Sequence, residues 1–190
     1  MVSRLGSYQI DLDYLLDRHD RVAQVCPHWS AAARERMAVG LDDVLVLGRP
    51  LWDFVHGGAT QRVYDALLHH ARRTGRKVAF NYRGDSPGAL RYMRMALMPG
   101  DGGAVRVRSE TLHDQPRQRE VYFTHVAYPR RPELLQCGLC QKLEHNGRWY
   151  TVDEALSQTD AIDALMPTEV GDTVCDPCIT KLELATGARL

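Results

Sequence analysis

Four cysteines constrain this chain more than any other feature. They fall as Cys137-x-x-Cys140 and Cys175-x-x-Cys178, with 34 residues between the pairs. A CxxC turn sets two sulfurs on one side of a tight knuckle. Two such knuckles brought together complete a tetrahedron of thiolates, for which zinc is the usual occupant. Gly138 permits the first turn and Pro177 stiffens the second. The same four residues admit other chemistry: two disulfides, an iron–sulfur cluster, or unliganded redox cysteines. Residues 1–13 carry no apolar signal core, so the expected compartment is the reducing cytoplasm, which disfavours disulfides. Paired knuckles suit one small ion better than a cluster. Four thiolates also close the coordination shell, so the expected zinc is structural and has no open position for Lewis-acid chemistry.

All four lie beyond a rigid break, Tyr128-Pro129-Arg130-Arg131-Pro132. Proline restricts itself and its predecessor, so this segment reads as an extended connector. The expected division is residues 1–128 and residues 129–190. The tail is too short for a large core, and metal binding would supply much of its folding free energy. Within it, Asn146-Gly147 signals a hairpin between 142–145 and 148–152. A helix is expected over 153–166 and a terminal helix over 179–185, which makes a small zinc-ribbon or treble-clef-like module. The two parts differ in charge. Residues 1–128 carry 18 basic and 14 acidic side chains, whereas residues 129–190 carry 6 and 10. Neither has the basic excess of a nucleic-acid binder, and an acidic tail with four thiolates repels phosphate. The longest uninterrupted aliphatic stretch is 44–47, far below the roughly 20 residues that span a bilayer, so no membrane segment is expected.

Ahead of the connector, periodicity predicts strands over 8–12 and 21–26, with a brief helical turn over 13–20. A helix over 27–38 follows, with Trp29, Ala33 and Met37 on one face, then a short helical turn over 51–55. The longest helix is expected over 60–74, capped by Thr60, striped with Val63, Tyr64, Leu67, Leu68 and Ala71, and ended by Gly75. Strands are expected over 77–83, 90–98 and 104–112, the first with Val78, Phe80 and Tyr82 on one side. This is an α+β domain with an antiparallel sheet. The segment 121–128, apolar on both faces, is the expected extra packing or dimerising element.

The order of these elements resembles a PAS sensor domain, and local segments carry the likeness. Gly48-Arg49-Pro50-Leu51-Trp52-Asp53-Phe54-Val55 resembles the "GrplWdfi" segment of a bacterial PAS-like family. Tyr82-Arg83-Gly84-Asp85-Ser86-Pro87, followed by Arg91-Tyr92-Met93-Arg94-Met95, resembles that family's "fRcDsP…R.meM" stretch. The similarity covers residues 7–112. Gly84 stands where the family has a cysteine, so thiol chemistry at that turn does not carry over. The same proteins often continue into "CxWCkr…g.W…CpxC", which Cys137-Gly138-Leu139-Cys140-Gln141-Lys142 and Trp149 resemble. The histidine expected before the second pair is missing, since Gly171-Asp172-Thr173-Val174 stands there.

The resemblance implies a sensory or regulatory module that binds a small, unidentified ligand or a partner protein and pairs as a homodimer. It places a ligand between helices and sheet, where Trp29, Trp52, Phe54, Phe80 and Tyr82 either line a cavity or fill a core. Haem-binding PAS domains can set an axial histidine on the long helix. There His70 lies near the apolar stripe, while His69 points with Asp65 and Arg72 to the polar side. Arg83 and Asp85 flank a turn, either orienting a ligand or partner or fixing the hairpin as an ion pair. The chain has no CxxCH, no GxGxxG and no nucleophile elbow, so no enzyme is expected. Cys26 reads as a small buried hydrophobe. The competing readings are a thiol/zinc redox switch and a haem or flavin sensor.

Overall fold

Alternating side chains in the first half build one antiparallel sheet. In the computed structural model, which describes residues 9–27, 29, 43–55, 57–126, 134–162 and 166–189, its strands are β1 (Gln9–Leu16), β2 (Val22–Val25), β3 (Val78–Arg83), β4 (Ala89–Pro99) and β5 (Val105–Pro116). They lie in the order β2-β1-β5-β4-β3, every neighbour antiparallel. The helical turn expected over 13–20 is corrected: the chain stays extended to Leu16, because Tyr14 and Leu16 are buried opposite Val107 and Val105. The reversal comes later, where Asp17 Oδ1 accepts from the backbone N–H of His19 and of Arg21 at 2.7 and 2.9 Å.

One helical turn, α1 (Asp43–Val46), and a 3-10 turn at Leu51–Asp53 lead to the long helix α2 (Gly58–Thr74). The sequence reading has no counterpart to α1, whose four residues are too few to show a period. Helix α2 buries Val63, Leu67, Leu68 and Ala71 in one cluster with Phe80, Leu97, Val105 and Val107 of the sheet. It ends at Gly75, φ 65°, as expected. Its start differs: Gly57, φ 85°, holds the N-cap position and Thr60 lies inside the first turn. The helix expected over 27–38 lies outside the described residues apart from Pro27 and Trp29.

The tail and the segment before it form a second sheet: β6 (Phe123–His125), β7 (Leu134–Cys137), β8 (Leu143–His145), β9 (Arg148–Tyr150) and β10 (Thr168–Thr173). Its order is β6-β10-β7-β8-β9, with β10 parallel to both β6 and β7. The hairpin at Asn146-Gly147 forms as expected, both residues at positive φ, 51° and 76°. Helix α3 (Val152–Gln158) opens with a capping box between Thr151 and Glu154. The helix expected over 153–166 stops at Gln158. There Thr159 turns extended while its hydroxyl and that of Ser157 bond back to the carbonyls of the last turn. Helix α4 (Asp176–Thr186) begins earlier than the expected residue 179, since Pro177 needs no N–H partner in a first turn.

The two sheets share a core. Cys137, Leu139, Cys175 and Leu182 of the tail are buried in the cluster that holds Val63, Leu67 and Phe80 of the first part. A second cluster, around Leu134, Leu143, Val152, Ile162 and Val170, takes in Val121 with Phe123 packed on it, from the segment expected to pack or dimerise. Among the described residues no helix is long and apolar enough to cross a membrane.

Candidate metal centre

Strand β7 delivers Cys137 to the first knuckle. The Cys137 N–H donates to the carbonyl of Lys142 at 2.9 Å, and the Gln141 N–H donates back to the carbonyl of Cys137 at 2.9 Å. Gln141 closes this turn at φ 60°. The second knuckle follows β10 and is the start of a helix: Cys175 is the N-cap of α4, and the Cys178 N–H donates to its carbonyl at 2.9 Å. The knuckles touch each other as well. The Gly138 N–H donates to the Thr173 carbonyl at 2.9 Å, and the Cys175 N–H to Cys137 Sγ at 3.5 Å.

All four Sγ atoms lie within 4.8 Å of one another, and Cys140 Sγ is 3.7 Å from Cys175 Sγ. A tetrahedron with metal–sulfur bonds of about 2.3 Å has edges of about 3.8 Å. The sulfurs therefore stand where one ion would hold them, and none is disulfide-bonded. Cys137 and Cys175 are buried, Cys140 and Cys178 half-buried. The donor set, four soft sulfurs and nothing else, is consistent with a metal ion such as zinc.

Electrostatics within the cluster point the same way. Hydrogen bonds from the thiols of Cys140 and Cys178 hold Cys137 far below the ordinary thiol value. Facing that thiolate pushes Cys140 up to about 11 and Cys178 higher still. A cation among the sulfurs would favour their ionised forms.

The cluster is seated on the first sheet. The Arg83 N–H donates to the Leu139 carbonyl at 2.7 Å. Gly138 lies so close to Thr60 that a Cβ there would sit 2.0 Å from Thr60 Oγ1. Asp172 of β10 caps α2 across the joint: its Oδ2 accepts from the N–H of Ala59 and Thr60 at 2.8 and 3.1 Å, and its Oδ1 accepts from Thr60 Oγ1 at 2.7 Å. The tail thus supplies the cap that the sequence reading assigned to Thr60.

The other expected site residues are dispersed. Trp29 is buried edge-on to Tyr14, ring centroids 5.5 Å apart, and Phe80 is buried between Tyr64 and Tyr82. Tyr82 shares a 2.6 Å hydrogen bond with Ser109, and Trp52 and Phe54 pack partly buried against the same core. His70 is buried, as its place on the stripe implies, with Nδ1 lacking a hydrogen-bond partner. A groove of about 720 Å³ beside Cys178 has Phe80 in its wall, and a cavity of about 160 Å³ beside Cys140 has Arg83 and Asp85. Arg83 grips Asp85 through two bonds of 2.9 and 2.8 Å, fixing the hairpin. A Cβ at Gly84 would sit 2.3 Å from Met93 Sδ, so a side chain there would require Met93 to shift.

Sequence reasoning missed Asp172, Arg117 and Gln136. Arg117 sits in the polar run 113–120, whose other residues are exposed, yet its side chain is 3 % exposed. No protein-family model and no curated protein matches this sequence.

Proposed function

We propose that this chain is a non-enzymatic sensory or regulatory module, a PAS-like sheet domain clamped to its tail by one structural zinc ion. The observation that carries this reading is the convergence of four cysteine sulfurs within 4.8 Å at the joint between the two sheets. The antiparallel five-stranded sheet with α2 packed on one face supports the PAS-like half. One cysteine pair on a knuckle between β7 and β8, and the other in the first turn of α4, supports a treble-clef-like tail. A closed four-thiolate shell suits zinc as a clip and not as a Lewis acid. Signal would pass through association, as a homodimer or with a partner protein, when a ligand shifts the tail against the first sheet.

Elemental analysis combined with native mass spectrometry on the full chain tests this. One zinc per chain is expected, lost in Cys140→Ser. Structural zinc contributes about 10–16 kcal/mol in small zinc modules. Because Cys137, Leu139 and Cys175 share the core of α2 and β3, the loss should loosen those elements too, beyond residues 133–190. A variant with full zinc and native protease resistance refutes the ligand assignment. Mild peroxide separates the redox reading: a fixed metal content and assembly size exclude a switch. A purified chain with no visible absorption band argues against haem and flavin.

A further inference from the structure

Among the described residues the Arg117 side chain makes one hydrogen bond. Its Nη2 donates to Asp85 Oδ2 at 2.7 Å. Asp85 has nothing more to offer: its oxygens also accept from Arg83 Nε, Arg83 Nη2 and the Arg91 N–H at 2.9, 2.8 and 2.9 Å. Four donors fill the four lone-pair sites of a carboxylate. The Nε and Nη1 atoms of Arg117 are buried and make no hydrogen bond. Among the described residues the further counter-charge is Asp153, 3.6 Å from Nη1 and 59 % exposed. Burial pushes the guanidinium below its ordinary value, against the pull of Asp85 and Asp153.

A second orphan lines the same space. Gln136, 2 % exposed, donates through Nε2 to the Gln141 carbonyl at 3.4 Å, and its Oε1 is buried with no partner. Arg117 and Gln136 both line a cavity of about 200 Å³, walled by the Asp85-Ser86-Pro87 turn, by Phe123 and His125 of β6, and by Gln141. One group lacks an acceptor and the other lacks a donor. Leaving such groups dry is costly, more so for a charged one.

We propose that this cavity binds a small carboxylate that also carries a hydroxyl or amine, the carboxylate accepting from Arg117 and the hydroxyl or amine donating to Gln136 Oε1. The cavity has room for a ligand of a few heavy atoms. Gln136 adjoins Cys137 and Gln141 adjoins Cys140, so occupancy bears directly on the first knuckle. The inference deepens the sensory reading and rests on it for its consequence alone, since binding is measured independently.

The test is calorimetric titration of the zinc-loaded full chain with glycolate, acetate and glycolamide. Glycolate has both the charge and the hydroxyl, acetate lacks the hydroxyl, and glycolamide lacks the charge. Glycolate should bind about tenfold more tightly than acetate, the value of one good hydrogen bond, and glycolamide should not bind. Gln136→Met, of similar length, should erase the preference of glycolate over acetate with zinc content unchanged. Arg117→Lys should weaken both acids about tenfold, because an ammonium lacks the planar set of donors. If Arg117→Lys fails to fold, Gln136→Met decides alone. The proposal is overturned if glycolate at 50 mM does not bind, if wild type binds glycolate and acetate equally, or if Gln136→Met keeps the preference. A crystal soaked in glycolate that shows ordered water alone at both atoms overturns it too. Binding without any change of assembly supports this site and counts against the sensory reading.

Discussion

Replacing Asp172 by alanine tests whether the tail is built into the first domain or merely attached to it. The carboxylate accepts from two backbone N–H groups and one hydroxyl in the first turn of α2, a helix 112 residues away at Thr60. Losing a side-chain cap costs about 0.5–2 kcal/mol. Losing a negative charge at a helix N-terminus costs about 0.3–1 kcal/mol more. A total of about 2 kcal/mol follows, which for a chain of this size lowers Tm by about 4–8 °C. Asp172→Asn keeps the shape and loses the charge, so about half that drop is expected. The assay is urea and thermal unfolding of the zinc-saturated protein, with Thr60→Val and the double variant completing a cycle. A coupling of about 1 kcal/mol between the two residues is expected, since they share a bond. Unchanged midpoints in Asp172→Ala, or a coupling of zero, would refute the reasoning.

Two further outcomes follow from the same joint and from the outer face of the first sheet. Gly138→Ala should destabilise by about 1–3 kcal/mol by overpacking, because its Cβ meets a Thr60 hydroxyl that Asp172 holds in place. Adding Thr60→Ala should recover part of the loss, read as non-additive urea midpoints with zinc retained. Asp13 is buried, which raises its carboxyl pKa, but the hydrogen bonds from Arg106 and Arg108 outweigh that and hold it below the ordinary value. Its folded value thus lies under its unfolded one. The stability it contributes is present above about pH 4 and lost as pH falls through the folded value. Asp13→Asn should therefore show a smaller loss of stability from pH 5 to pH 3 than wild type. Protonation of the cysteine cluster, with release of any metal it holds, acts on both proteins, so the difference between their urea midpoints isolates Asp13; equal differences at both pH values would refute it.

Local chemistry was legible from the residues. Apolar alternation marks β3, β4 and β5, the stripe from Val63 to Ala71 marks α2, and Asn146-Gly147 marks the β8–β9 turn. The CxxC pairs announce their own geometry because four consecutive residues suffice to make a knuckle. Strand β10 was not legible: Thr168–Thr173 carries one large apolar side chain, Val170, and owes its strand to lying between β6 and β7. The early end of α3 and the full length of β1 belong to the same class, since each depends on what the chain meets next.

By itself the sequence determined which residues make turns, which helix face is apolar, and that four sulfurs are available for one ion. Only the tertiary structure decided that Asp172 caps a helix in the other half, that the cysteine cluster shares a core with α2, and that the side chains of Arg117 and Gln136 are both covered and line one cavity. The physical reason is range. Turn geometry and side-chain periodicity are properties of neighbouring residues, whereas the environment of a polar group is set by whichever segments fold over it, and nothing in the polar, otherwise exposed run 113–120 records that the Arg117 side chain alone will be covered.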